Sequence, residues 1–261
     1  GIIKAVILVW SLFPIFWLFI ISLRPNLSPL QEGNPFLFSP SLVNYFSVIS
    51  NQEISHYFLN SLIIALVATA CSLTFGLSAA YGLARFRFRG RRFYKMWILS
   101  IRLLPPIGFV VPLFIMAKTL GVLDSKSTLI IVYTAFLLPF TIWMLTGAIR
   151  ELPVEVEEAA LLDGCSHFQV LRLIVIPSLK PALIAVALLN MIAAWNEFLF
   201  ALILTSSKAV TLPVAVTGFL GDRGIYWGEI TAAAVMVAVI PICLLFFVRN
   251  NIIKGFEVRI Q

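Results

Sequence analysis

The chain has 261 residues, of which 61% are apolar, and a formal net charge of +7. Apolar runs near the roughly 20 residues needed to cross a bilayer recur along its whole length, which excludes a fold of one or two soluble domains. The cations cluster between those runs, where they act as topology determinants, so the positive charge gives no reason to expect nucleic acid as a partner.

The expected fold is all-α, a polytopic membrane protein with six transmembrane helices at about 2–23, 58–83, 96–118, 128–149, 182–204 and 230–248, forming one transmembrane domain over 1–261. The first run is too long for a signal-peptide core and is expected to be a retained span. The opening Gly1 is expected to follow further native residues. Between the first two spans, a stretch rich in proline, serine and asparagine carries Leu42, Tyr45, Phe46 and Ile49 at i, i+3, i+4 and i+7. That spacing predicts an interfacial helix whose apolar face packs on the outer ends of the spans. In the second span, Ser72, Gly76 and Ala80 form a small-xxx-small row suited to close helix contact.

After the second span, Arg85, Arg87, Arg89, Arg91, Arg92 and Lys95 place the following loop in the cytoplasm. Alternation then puts 150–181 and both termini on the same side. In the third span, Arg102 lies six residues past Met96, about 9 Å in. It is expected to snorkel to the inner interface. Pro105, Pro106, Pro112 and Pro139 sit within spans, where kinks are tolerable only against protein or a cavity.

The cytoplasmic stretch 150–181 is the most informative. Pro153 suits the first position of a short helix. Glu155, Glu157 and Glu158 crowd its early turns, the favourable end of the helix dipole for negative charge. Gly164 is a plausible left-handed stop. Ser166 followed by Gln169 is a capping-box pattern opening a second helix, with Phe168, Leu171 and Val175 on one face. Two short helices joined at a glycine make a compact knuckle.

Its spacing is Glu158-Ala159-Ala160, three residues, Gly164, nine residues, then Ile174-Val175-Ile176-Pro177. This resembles the EAA loop of binding-protein-dependent ABC importer permeases, with isoleucine where that family often has leucine. Trp195-Asn196-Glu197-Phe198-Leu199-Phe200-Ala201 looks like the fifth span of the carbohydrate permeases of the maltose and glycerol-phosphate type. Leu42-Val43-Asn44-Tyr45 and Asn60-Ser61 are similar to that group too. The likeness covers essentially the whole chain.

Catalytic chemistry is sparse. No G-x-x-x-x-G-K-[ST] occurs, since Gly121–Ser127 has Ser125 where the second glycine must be. His56 and His167 are the only histidines, and neither H-E-x-x-H nor G-x-S-x-G is present. Cys71, Cys165 and Cys243 have no metal or redox spacing and read as unpaired thiols. Glu197, fifteen residues into the fifth span, is an intramembrane carboxylate and so a functional candidate. Direct pairing with Arg102 is not expected, because the two depths differ.

The resemblance implies a translocation subunit, not an enzyme, in a bacterial or archaeal cytoplasmic (inner) membrane. Its partners would be a second permease subunit, two ATP-binding subunits, an extracytoplasmic sugar-binding protein and membrane lipid, with no nucleic acid. It would hold no cofactor of its own, ATP and Mg belonging to the ATPase. Glu158, Ala159, Ala160, Asp163, Gly164, Ile174 and Pro177 would then form the ATPase-coupling loop. Trp195, Asn196 and Glu197 would stand in the substrate pathway, although the same residues could equally lock helices together. Gly221, Asp222 and Arg223 would meet the binding protein. Alternatives are a permease for an amino acid or polyamine, a passive channel and a secondary carrier.

Overall fold

The structure is a computed structural model and describes residues 2–25, 38–50, 52–218, 220–221, 224–225 and 227–257. Its helices are α1 (Ile2–Ser22), α2 (Val43–Ser50), α3 (Gln52–Arg85), α4 (Arg91–Leu103), α5 (Ile107–Thr119), α6 (Lys126–Glu151), α7 (Val154–Leu162), α8 (His167–Ser178), α9 (Lys180–Trp195), α10 (Leu199–Leu204), α11 (Leu212–Thr217) and α12 (Trp227–Glu257). A two-residue antiparallel pairing, β1 (Leu220–Gly221) with β2 (Gly224–Ile225), precedes α12. Among the described residues three helices are long and apolar enough to cross a membrane: Glu53–Arg85, Lys126–Glu151 and Trp227–Phe246. By contacts the chain divides into two compact units, Gly1–Ser61 with Ala209–Ile242 and Leu62–Lys208 with Cys243–Gln261.

In the first unit α2 is clamped by polar contacts. Asn44 Nδ2 donates to the carbonyls of Ser22 and Arg24 at 2.9 and 2.8 Å, and Ser47 Oγ donates to Glu229 Oε1 at 2.6 Å. Gly228 permits this approach, because a Cβ there would lie 2.6 Å from Asn44 Nδ2. The expectation for α2 is therefore corrected. Asn44 and Val48 face inward, while Leu42, Phe46 and Ile49 are exposed. Hydrogen bonding, not apolar periodicity, sets the face, since an amide with two buried carbonyls to satisfy outweighs the burial of one more apolar side chain. Asn60 and Ser61 latch the chain before and at α11. Asn60 Nδ2 donates to Val210 O at 2.9 Å, and Ser61 Oγ accepts the Leu212 N–H at 2.7 Å.

In the second unit the small-residue row of α3 finds its partner inside the same chain. Gly76 lies where any Cβ would overlap the side chain of Thr141 on α6. Ser72 Oγ and Thr141 Oγ1 are 2.8 Å apart, and the fully buried Asn190 of α9 donates to Thr141 at 2.8 Å. Three helices thus meet at one hydrogen-bonded node, a contact worth about 1 kcal/mol in lipid.

Two expected spans are not single helices. The third is broken between α4 and α5, which diverge by 94°. Pro105 and Pro106 both lack the N–H that would continue the ladder, so the helix stops and restarts. The fifth begins after an 80° bend between α8 and α9. Its continuous helix then ends at Trp195, with the short α10 taking up the last residues.

Candidate functional site: the α7–α8 knuckle

Pro153 immediately precedes α7 instead of opening it, with extended backbone (φ −56°, ψ 126°). Gly164 has φ +91°, the left-handed conformation its position suggested. The Cys165 N–H bonds Ala160 O at 3.0 Å and the Gly164 N–H bonds Leu161 O at 3.1 Å. Those two bonds are a Schellman stop, which satisfies the last carbonyls of α7. The capping box is complete: Ser166 Oγ accepts the Gln169 N–H at 3.3 Å, and Gln169 Oε1 accepts the Ser166 N–H at 2.7 Å. Further on, α8 widens to a π-helical stretch at Leu171–Val175, directly before Pro177. A proline without an N–H forces some such adjustment, and beside it Ser178 Oγ donates to the Ile174 carbonyl at 2.7 Å.

The knuckle docks on the C-terminal ends of α3 and α6. Val170, Val175 and Leu179 share a core with Leu77, Ala80, Tyr81, Ala84, Leu145 and Ile149, and Ala160, Leu161 and Cys165 pack against it. Phe168 is not part of that face. It is 69% exposed; the buried residues of α8 are Val170 and Val175, five positions apart across the π-helical stretch. Outward stand Glu158, Ala159, Asp163, Gly164 and Pro177, flanked by Leu162 at 90% exposure. Ala160 and Ile174 are half-buried. The outer lip is thus polar at Glu158 and Asp163 and apolar at Leu162 and Phe168.

The residues that hold this lip in place are the ones the sequence left unmarked. Glu157 is 4% exposed and accepts from Arg85 Nε at 2.9 Å, from an Arg85 terminal nitrogen at 2.6 Å and from Tyr81 OH at 3.2 Å. Arg85 also donates to Leu152 O at 3.1 Å. Phe86, next along, meets the His167 ring edge-on with centroids 5.1 Å apart. Residues 81–86 therefore grip α7 through a charge pair and α8 through a ring. Arg91 donates to the carbonyls of Leu83 and Ala84 at 2.9 and 2.8 Å, capping α3. Two of the six clustered cations are thus structural as well as topological. One signal was available: Glu157, Ala160 and Leu161 fall at i, i+3 and i+4, which puts a carboxylate on the apolar face of α7.

Elsewhere in this unit, Trp195 is 1% exposed and sits in the core. Asn196 is exposed, and its amide donates to Ile192 O at 3.0 Å. Glu197 turns back on its own chain, accepting the N–H groups of Phe200 and Ala201 at 2.9 and 3.2 Å. It caps α10. Asp124, at φ +55°, was also missed. Its carboxylate accepts from the backbone N–H groups of Ser206, Ser207 and Lys208, the contacts running from 2.9 to 3.2 Å. In the first unit Gly221 pairs with Gly224, whereas Asp222 and Arg223 lie outside the described residues.

A family model described as the binding-protein-dependent transport system inner membrane component matches residues 72–255. The chain belongs to this family. It is 33% identical to a trehalose transport system permease of Mycobacterium tuberculosis, over 94% of this chain and 90% of that one. It is 34% identical to a trehalose/maltose transport system permease of Thermococcus litoralis, over 94% and 89% respectively. Among solved structures, a bacterial ABC transporter involved in import of the acidic polysaccharide alginate superposes with a TM-score of 0.77 at 25% identity, covering 96% and 95% of the two chains. This permease is accordingly a multi-pass translocation subunit of an ABC importer and not an enzyme.

Proposed function

We propose that this chain moves a sugar or sugar derivative across the cytoplasmic membrane by alternating access, driven by ATPase subunits that engage the α7–α8 knuckle. The observation that carries the coupling role is the lip itself. Leu162 and Phe168 stand exposed on either side of a left-handed Gly164, on a knuckle bolted to α3 by Glu157 and Arg85. Two exposed apolar side chains flanking the turn of a polar loop suit a docking surface. Glu158 offers the charged contact and Ala159 the close approach, Gly164 and Asp163 set the angle between the helices, and Ile174 and Pro177 fix how α8 leaves for α9. Two ATP-binding subunits, which hold ATP and Mg, would act on this chain and on a second permease subunit. An external binding protein would deliver the sugar, meeting Gly221, Asp222 and Arg223.

In this reading the chain crosses the membrane six times, α1 and the two bent pairs each counting as one crossing, with both termini cytoplasmic. The sugar class rests on the trehalose, maltose and alginate systems named above. An amino-acid or polyamine permease is the runner-up. Binding of the cognate receptor to a sugar panel, set against amino acids and polyamines, decides between them.

The coupling test is a cysteine at Ala159, which faces outward, in a chain whose Cys71, Cys165 and Cys243 are replaced by serine. A short bifunctional crosslinker should capture an ATPase subunit in intact cells. Normal uptake with no ATPase ever captured would overturn the reading.

A further inference from the structure

Helix α4 packs against α6, and between them lies a cleft of about 220 Å³ whose walls include Lys95, Ile98, Ile142, Trp143, Thr146 and Arg150. Lys95 and Arg150 share the inner end of the cleft, so the two helices run antiparallel. Seven residues further along α4, the Arg102 guanidinium lies over the Phe140 ring, 4.5 Å from its centroid. Phe140 stands eleven residues from one end of α6 and fourteen from the other, or about 16 and 21 Å. Arg102 is therefore held beside the middle of α6, on the Phe140 ring, whereas Lys95 and Arg150 lie toward the Glu151 end of that helix. The aromatic face and the antiparallel packing of α4 fix it there.

Arg102 is exposed, and no acidic side chain contacts it among the described residues. A cation within a membrane-crossing segment is costly to expose to lipid even on the mildest scale. Its surroundings argue against lipid for a second reason. Pro105 and Pro106 remove the N–H donors that the carbonyls of Ile101 and Arg102 would have used, and among the described residues only the Ile101 carbonyl is recovered, by Leu104 N–H at 3.3 Å. Broken backbone at mid-depth belongs where it lines a polar cavity, the common construction of transporter binding sites. In the cleft wall, the Thr146 hydroxyl is buried without a hydrogen-bond partner.

We propose that Arg102, stacked on Phe140 at the α4–α5 break, forms a subsite of the translocation path for the oxygen-rich edge of the passing saccharide. The guanidinium N–H groups donate to its hydroxyl or carboxylate oxygens, and the ring takes its C–H face. Lys95 and Arg150 continue the positive field toward the inner mouth. The subsite rests on the permease reading, but it is tested separately from it.

The test uses the assembled complex in proteoliposomes with the three native cysteines replaced by serine. Reporter cysteines are placed singly at Trp143, one turn from Phe140, and at Gly147, where a side chain meets open space. Each is treated with an anionic and a cationic methanethiosulfonate, with Arg102 intact and as Arg102→Gln. Both water-soluble reagents should reach position 143. Arg102→Gln should lower the anionic-to-cationic rate ratio there about fivefold, as expected for loss of one nearby charge, with a smaller change at 147. Labelling only by a lipid-soluble maleimide, no labelling, or a ratio indifferent to Arg102 would overturn the subsite. Co-purification of the ATPase from the same samples separates that failure from failure of the permease reading.

Discussion

Arg85 and Glu157 form an ion pair between the end of α3 and the first turn of α7, with side chains only 11% and 6% exposed. The pair is buried, bidentate on the arginine side and supported by Tyr81, so removing one partner strands a charge. Glu157→Ala should destabilise the docked knuckle by about 3–5 kcal/mol. Thermal unfolding of the purified complex and protease sensitivity of the loop measure this directly. Arg85→Ala should match it, and the double variant should lose less than the sum. Strict additivity would show that the two residues act independently.

The knuckle was legible in the sequence because its local signals agree. Gly164, Ser166 and Gln169 need only their immediate neighbours to specify a stop and a cap, and both are found. Glu157 was not legible as an anchor to Arg85, because its partner lies 72 residues away and its one local signal, a place on the apolar face of α7, does not name that partner. The same holds for Asp124, whose partners are more than 80 residues distant. For α2, apolar periodicity pointed to the wrong face, since Asn44 and Ser47 have long-range hydrogen bonds that override it. In the third span Pro105 and Pro106 were visible, but hydropathy averages over a break that backbone geometry cannot ignore.

Gly164 sets the angle between α7 and α8 at φ +91°. Gly164→Leu forces a side chain into the left-handed region at a cost of roughly 1–2 kcal/mol. The expected outcome is a complex that still assembles but moves less sugar per ATP hydrolysed. Gly164→Asn should fall between it and the parent, because asparagine tolerates that conformation. Uptake and phosphate release measured in the same vesicles give the ratio. An unchanged ratio in Gly164→Leu would remove Gly164 from the coupling element.

Gly76 and Thr141 mark a close approach of α3 and α6, where a Cβ at residue 76 would overlap the threonine side chain. Gly76→Ala should overpack the contact by about 1–3 kcal/mol and reduce the yield of folded complex. The Cγ2 methyl of Thr141 is the first atom met, so adding Thr141→Ser should recover part of the loss while keeping the hydroxyl that bonds Asn190. No recovery would mean that the backbones, not this methyl, set the spacing.

Asp124 holds the loop after α10 by gathering three consecutive N–H groups. Asp124→Asn keeps an acceptor and suits the positive φ, whereas Asp124→Ala loses the acceptor and strains the backbone. The alanine variant should unfold at a lower temperature than the asparagine variant. Equal melting temperatures would show that the N–H groups are satisfied by water.

Glu197 separates two roles that the sequence alone left open. As the cap of α10, its carboxylate already accepts two backbone N–H groups, one on each oxygen, which turns it toward its own chain. A side-chain oxygen capping a helix is worth about 1 kcal/mol, so Glu197→Ala should lower the melting temperature without moving the sugar concentration for half-maximal uptake. Glu197→Gln keeps one acceptor and should fall between alanine and the parent in stability. If Glu197 instead bound the sugar, Glu197→Gln would raise that half-maximal concentration at unchanged stability, because one hydroxyl contact would weaken while the cap survived. The two readings therefore predict opposite patterns in the same pair of measurements. The geometry supports the cap, in which Glu197 is a fastening where the helix breaks after Trp195 and restarts at Leu199.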